Sequence, residues 1–327
     1  MYQHQFFTAL CRQHDVFPYG PGHPGHSRAD TVQQVLARCP FSPDLICFGA
    51  GWEFEGPWGD HPTESDPQPS INAGEIDIPA VQILNKEYKK LDRKFEFIRR
   101  NRIQAVFTVH HNWAKWQGEI AVRFVHFPFA VDPDLFHDYG EAKRYDLGFS
   151  GNLHVRWTDL RRRLKDRIFW KEFRLRLGNR TIWLTRIRRP HFMGRRIYWG
   201  EWGLGSKTGE DYARLINSSL IWLNTTSAID IVGPRFFEAM AAKSLLLCNR
   251  SPAYEGLFNE GEHCAMFEPD LSDFEGKVDH FLGSAEEREE IVARAHEHVL
   301  RHHTWDVRVE QFTAVAEEIL AQRPVRA

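Results

Sequence analysis

Short apolar runs alternating with amphipathic stretches constrain the fold of this 327-residue chain more than any other feature. Segments 81–84, 103–109 and 123–127 have strand character, and 87–101 repeats its apolar residues at helical spacing. A second series starts at 145–150 and runs through 181–184, 197–199, 219–224, 244–249 and 264–267, with helices between and a helical C-terminus over 285–320. Strands joined by helices of this length pair in parallel through right-handed crossovers, which predicts an α/β chain with two open sheets. Before the first series come a helix carrying Phe6, Phe7, Leu10 and Cys11, a strand-like run at 15–19, a helix over 30–38 with Asp30 as N-cap, and a strand at 44–50. Segment 52–78 is rich in Pro, Gly, Asp and Glu and reads as a long surface loop. The irregular stretch 128–139, with Asp132-Pro133-Asp134, divides the chain into an N-terminal domain, 1–139, and a C-terminal domain, 140–327.

Composition narrows the function classes. With 42% hydrophobic and 26% charged residues the chain is neither disordered nor fibrous. Apolar runs such as 245–248 fall far below the roughly 20 residues that span a bilayer. The start, Met-Tyr-Gln-His-Gln, lacks a secretion pattern, so a cytoplasmic chain is expected. Cys11, Cys39, Cys47, Cys248 and Cys264 are odd in number and contain no CxxC, which reads as buried reduced thiols. The densest histidines, His296, His298, His302 and His303, lack HExxH spacing and a carboxylate partner, and no metal site is expected.

Charge is uneven although the net is only −2. Segment 156–196 holds fifteen Lys or Arg against Asp159, Asp166 and Glu172. Helical spacing of Trp157, Leu160, Leu164 and Ile168 gives it one core face, with Arg161, Arg162, Lys165 and Arg167 mostly outside and Trp170, Phe173 and Trp183 nearby. Such a stretch is either a solvated face or a contact for an anionic partner, including the inner face of a membrane. No nucleic-acid module accompanies it, so nucleic acid is not expected.

Ligands of open α/β sheets bind beyond the carboxyl ends of the strands, where helix N-termini converge. The loop 224–242 is the most informative such place. It ends a strand, turns at Gly233-Pro234 and opens a helix, with Asp230 and Glu238 flanking the helix start. Carboxylates there can accept from sugar or ribose hydroxyls, and Arg235 with free amides can meet a phosphate. Each also has an ordinary reading, as a helix-dipole partner or a surface charge. His110 and His111 follow the strand 103–109 and sit at a crevice edge, where a structural histidine is the competing account. Lys86 and Glu87 lie in the loop after 81–84 and are further acceptor-side candidates. Ser206-Lys207 fails the P-loop spacing.

These residues resemble a family. Ser227-x-x-Asp230-x-x-Gly233 with Glu238-Ala-Met-Ala241 is similar to the signature of retaining GT-B glycosyltransferases of the family-4-like group, in which two acids are separated by seven residues. Residues 127–136 resemble that family's interdomain linker, and 148–153 its first donor-domain strand and loop. Tyr19-Gly-Pro-Gly22 and His303-Thr-Trp305 with Arg308 look like the subgroup of spore-coat maturation glycosyltransferases. The resemblance implies two Rossmann-like domains facing across a cleft, with a nucleoside-diphosphate sugar held by the C-terminal one and a glycan or lipid-linked glycan by the other. It implies that Glu238 holds the ribose, Asp230 lies near the transferred sugar and Arg156 meets the diphosphate, with Gly151, Asn152, Ser227, Gly233, Pro234, Arg235 and Lys243 lining the donor. Catalysis would then be metal-independent and electrostatic, with no cofactor. Asp230 stands where the family carries Glu, Asn152 where it carries Arg and Lys243 where it carries Gly. The chain also begins in what resembles the first helix, so the N-terminal sheet is expected to lack its first strand. These departures leave open a second reading, a nucleotide-sugar-binding or partner protein without turnover.

Overall fold

The computed structural model describes residues 2–322 except 21, 28, 50–70, 85–89, 154–159, 178–179, 202–206 and 228. The chain divides into two compact units, 1–128 with 305–327, and 129–304. The expected boundary at 139/140 differs from this on two counts. Phe136 of the linker packs in the core of the second unit against Tyr212, and Val131 bridges Thr304 there. The last helix leaves the second unit altogether.

In the first unit, α1 (Tyr2–Gln13) and α2 (Val32–Arg38) precede β1 (Ile46–Phe48), β2 (Ala80–Leu84), α3 (Leu91–Arg100), β3 (Ile103–Thr108) and β4 (Arg123–His126). The four strands are parallel, in the order β1-β2-β3-β4. Phe95, Phe97 and Ile98 of α3 pack with Phe48, Val106 and Phe124 as the core. Asp30 does not cap α2. Thr31 does, with Gln34 completing a capping box, and Asp30 instead accepts from the Tyr19 hydroxyl at 2.6 Å and the Ser27 amide at 3.2 Å. Residues 15–19 join no strand. Val16, Phe17 and Tyr19 line a largely apolar cavity of about 610 Å³ together with Ile46, Cys47 and Phe48 of the edge strand β1. Burial there pushes the Cys47 thiol up to about 12.

The second unit is built on β5 (Tyr145–Gly151), α4 (Leu160–Ile168), β6 (Phe169–Leu177), β7 (Arg180–Arg188), β8 (Ile197–Glu201), α5 (Gly209–Asn217), β9 (Ser219–Asn224), α6 (Arg235–Ala241), β10 (Leu245–Asn249), β11 (Ala265–Phe267), α7 (Phe274–Gly283) and α8 (Ala285–His302). Five strands form a parallel sheet in the order β11-β10-β9-β5-β8. Gly148 of β5 is opposite Trp222 of β9, and a Cβ there would come within 2.3 Å of the indole, so only glycine admits this buried ring. The strand expected at 181–184 is not in this sheet. It belongs to β7, which pairs antiparallel with β6 alone as a two-stranded ribbon. Lys165, expected outside the core face of α4, is buried between Glu172 at 2.8 Å and Glu201 at 2.6 Å, beneath that ribbon.

After α8 the chain returns to the first unit as α9 (Trp305–Ala321). Phe312 of α9 meets Phe6 of α1 at 5.7 Å and Phe107 of β3 at 5.0 Å, and Arg12 pairs with Asp306 at 2.7 Å. Among the described residues no helix is long and apolar enough to cross a membrane. Of the five cysteines expected to be buried, Cys248 and Cys264 are, Cys39 and Cys47 are half-buried as whole residues, and Cys11 is exposed.

Candidate functional site

In the second unit the chain direction reverses about β5: β8 lies on one side and β9, which follows it, on the other. The carboxyl ends of β5 and β9 therefore form a topological switch point, the place where α/β sheets open a crevice for a ligand. Arg161 of α4 bridges the two strand ends. Its Nε donates to Thr225 Oγ1 at 2.9 Å, and its terminal nitrogens donate to the carbonyls of Thr225 and Asn152, both at 3.2 Å. Asn152 is exposed here, while Gly151 ends β5 opposite Glu201.

The loop after β9 is held from β10. Asn249 Oδ1 accepts from the Thr226 amide at 3.0 Å and from the Tyr254 hydroxyl at 3.2 Å. Thr226 Oγ1 in turn donates to Asp230 Oδ1 at 3.2 Å. Ser227 closes the turn, its hydroxyl accepting from the Ile231 amide at 3.1 Å and its carbonyl from the Asp230 amide at 3.0 Å. Asp230 sits at φ 55°, in the left-handed region that non-glycine residues enter at a cost, with its side chain exposed. Four polar residues thus fix one carboxylate in a strained, solvent-facing position.

Glu238 is different in kind. It lies in the first turn of α6, only 3% exposed, among Phe236, Phe237 and Met240. Its Oε2 is buried and has no hydrogen-bond partner among the described residues. Burial raises its pKa to about 7, against which the Arg235 guanidinium and the Tyr212 hydroxyl act in the opposite direction. A buried acceptor left unpaired costs stability, and a hydroxyl donor that reaches it relieves that cost. Pro234 is the N-cap residue, and Gly233 has neither a left-handed φ nor a neighbour that would block a Cβ. Ser227, Gly233, Pro234, Arg235 and Glu238 are thus brought onto one loop and helix start with Asp230.

Lys243 has a structural occupation. Ala242 caps α6, Lys243 follows at φ 51°, the Ser244 amide donates to the Ala239 carbonyl at 3.1 Å and the Lys243 amide to Met240 at 3.2 Å. This is the left-handed helix stop that glycine usually provides. The Lys243 ammonium pairs with Asp138 at 3.2 Å. Arg156, Lys86, Glu87 and segment 50–70 lie outside the described residues.

At the carboxyl edge of the first unit's sheet, His110 is buried and accepts from the Asn112 amide through Nδ1 at 3.2 Å. It stacks on His111, whose Nδ1 is buried and has no hydrogen-bond partner among the described residues. His126, at the end of β4, is held neutral: burial, then Arg308 and His111, lower its pKa to about 4. Burial likewise lowers Arg308 to about 10, and its Nε donates to the Pro128 carbonyl at 2.9 Å.

Sequence reasoning missed Arg161, Thr226, Asn249 and His126. Arg161 opens α4 and reaches the ends of β5 and β9, Thr226 follows β9 and Asn249 ends β10, and strand order was the signal that could have joined them. Histidines of α8 and its C-cap tie the helix to neighbouring carbonyls: His296 Nδ1 lies 2.9 Å from the Ala241 carbonyl, and His298 and His303 Nε2 lie 2.7 and 3.0 Å from that of Leu257. Among the described residues no three His, Cys, Asp or Glu stand together as a metal site.

Solved structures with the same architecture include the sucrose-phosphate synthase of Thermosynechococcus elongatus, at 10% identity and TM-score 0.55 over 89% of this chain and 77% of that one. HepE of Anabaena in complex with UDP-glucose matches at 12% identity and TM-score 0.51, over 74% and 72%. TarM matches at 9% identity and TM-score 0.54, over 73% and 50%. No curated protein matches the sequence. The shared architecture is GT-B, with two Rossmann-like units. The glycosyl transferase-like family matches residues 142–314, more than half of the chain, and the chain belongs to that family.

Proposed function

We propose that this glycosyltransferase moves a sugar from a nucleoside-diphosphate sugar to a glycan or lipid-linked glycan in the cytoplasm, with retention of configuration and without a metal. The donor lies on the second unit and the acceptor on the first. One observation carries the reading: the Glu238 carboxylate is buried at a helix start, and its Oε2 has no hydrogen-bond partner among the described residues. Ribose hydroxyls are donors of the right kind for that oxygen, and their approach favours its ionised form. The diphosphate then falls at the switch point, where the Arg161 charge is fixed between two strand ends. That cation, with Arg235 and Arg156, stabilises the charge that builds as the nucleoside diphosphate departs.

Asp230, oriented by Thr226, is suited to take hydroxyls of the transferred sugar. Holding both ends of the donor makes positioning the main contribution to rate. The acceptor-side groups are His110 and His111, with Lys86 and Glu87. Uridine is the first base to test, because the HepE complex contains UDP-glucose. Within the family, the spore-coat maturation group is the nearest fit, since Tyr19 and Arg308 of its motifs tie loops together here.

A thermal-shift screen with UDP, GDP, ADP, CMP and their sugars tests the proposal, because a ligand of the folded state raises Tm. One nucleotide is expected to stabilise the wild type and to lose that effect in Glu238→Ala. Full nucleotide affinity in the variant would remove the assignment. Binding without turnover across an acceptor panel would replace it with the nucleotide-sugar-binding reading.

A further inference from the structure

The described residues expose eight large apolar side chains, and seven of them lie between Trp170 and Met193. Six are on β6 and β7 proper: Trp170 at 69%, Leu184 at 62%, Leu177 at 55%, Leu175 at 45%, and Ile187 and Phe173 just exposed. Among the described residues the ribbon shares its ladder with no third strand, and α4 is the element that packs most against it. A two-stranded ribbon with a bare apolar face is marginal in water by itself. Something of matching chemistry must cover it.

The register sorts its residues. Phe173, Leu175 and Leu177 alternate along β6 and so share one face, with Lys171 at the end of that row. Glu172 and Arg174 take the other face. Pairing slips twice, leaving Trp170 as an extra residue of β6 and Leu184 as an extra residue of β7. These bulged positions carry the two most exposed large apolar side chains among the described residues of the ribbon. Charge is as one-sided as apolarity. From 169 to 188 there are six Lys or Arg and a single acid, Glu172, which is engaged by Lys165 at 2.8 Å and Arg174 at 3.2 Å.

We propose that the β6–β7 ribbon docks the protein on an anionic lipid surface, with Phe173, Leu175, Leu177 and the bulged Trp170 and Leu184 entering the headgroup boundary and the cations holding lipid phosphates. An apolar row flanked by cations is what such a boundary takes, while long Arg and Lys stems keep their charges at its polar rim. A second copy of the ribbon is disfavoured as the cover, because it would bring the same cations face to face. Nucleic acid matches the charge but not the leucine row. The inference is independent of the Glu238 assignment.

Flotation with phosphatidylcholine vesicles, with and without phosphatidylglycerol, tests it on the full chain at low and high salt. The wild type is expected to float only with phosphatidylglycerol and to release at high salt. Leu175→Ser with Leu177→Ser, and separately Lys171→Glu, should each weaken flotation by about tenfold or more. All three residues are exposed, and unchanged Tm and nucleotide binding in the variants show that the donor unit is intact. No flotation of the wild type at low salt, or equal flotation of the Leu variant, overturns the proposal. So does a concentration-dependent dimer, without lipid, that the Leu variant abolishes, or salt-sensitive oligonucleotide binding that the same variant retains.

Discussion

Asn249 Oδ1 accepts the Thr226 amide at 3.0 Å, tying the end of β10 to the loop that carries Asp230. The same oxygen takes the Tyr254 hydroxyl at 3.2 Å, so one buried side chain holds two buried donors. Asn249→Leu keeps the volume and removes both bonds. It is expected to destabilise the second unit by roughly 2 to 4 kcal/mol, since each orphaned buried group costs about 1 to 3. Urea unfolding measures this, and an unchanged midpoint and slope would show that the loop does not depend on Asn249.

Glu238 makes stability fall with pH. Its folded pKa, about 7, lies above the ordinary glutamate value of 4.5. The folded chain therefore binds the extra proton between those values, and the associated stability is present below pH 4.5 and lost as pH rises through 7. The difference amounts to about 3 kcal/mol. Glu238→Gln should flatten that slope and be more stable than the wild type at pH 8, while binding the nucleotide at least about tenfold more weakly. Parallel stability profiles for the two proteins would place the titration elsewhere.

Lys243 holds a position built for glycine. Leaving the left-handed region to glycine gains about 1 kcal/mol, and the exposed pair with Asp138 contributes less than that. Lys243→Gly is expected to melt higher than Lys243→Ala, which loses the pair and keeps the strain. Transfer rates should match the wild type in both. A large fall in rate with Lys243→Gly would instead give this lysine a role in donor binding.

His126 acts in the opposite sense to a paired histidine. With its pKa lowered to about 4, the folded first unit excludes a proton that the unfolded chain takes below about 6.5. Its contribution is complete above 6.5 and is lost as pH falls toward 4. His126→Gln should remove part of the acid-side decline of that unit, read by hydrogen exchange of β3 and β4. An identical decline in the variant would assign it to other groups.

The strands of both parallel sheets were legible because each is an apolar run of the right length bounded by turns or helices. The Thr31-x-x-Gln34 capping box was equally legible, but the neighbouring Asp30 drew the assignment. The ribbon left a readable mark as well: period-two alternation over 169–177, then Gly178-Asn179, the dipeptide of a tight hairpin. Helical spacing up to Ile168 masked it. The return of α9 to the first unit had no local signal, because it rests on Phe312 meeting Phe6 across some three hundred residues. Asp230 and Glu238 were found from their place between a strand end and a helix start and from the resemblance of their motif, yet neither could tell that one is exposed at a left-handed φ while the other is buried with an oxygen that no described residue pairs. That contrast is set by which face of α6 meets the aromatic core, a property of packing.

The central claim is that Glu238 takes the ribose hydroxyls of the donor nucleotide. It is tested most directly by a double cycle, pairing wild type and Glu238→Gln with UDP and its 2′,3′-dideoxy analogue in titration calorimetry above pH 7. The account predicts that the wild type loses at least about tenfold in affinity for the dideoxy compound, whereas the variant binds the two alike. An equal loss in both proteins would contradict it.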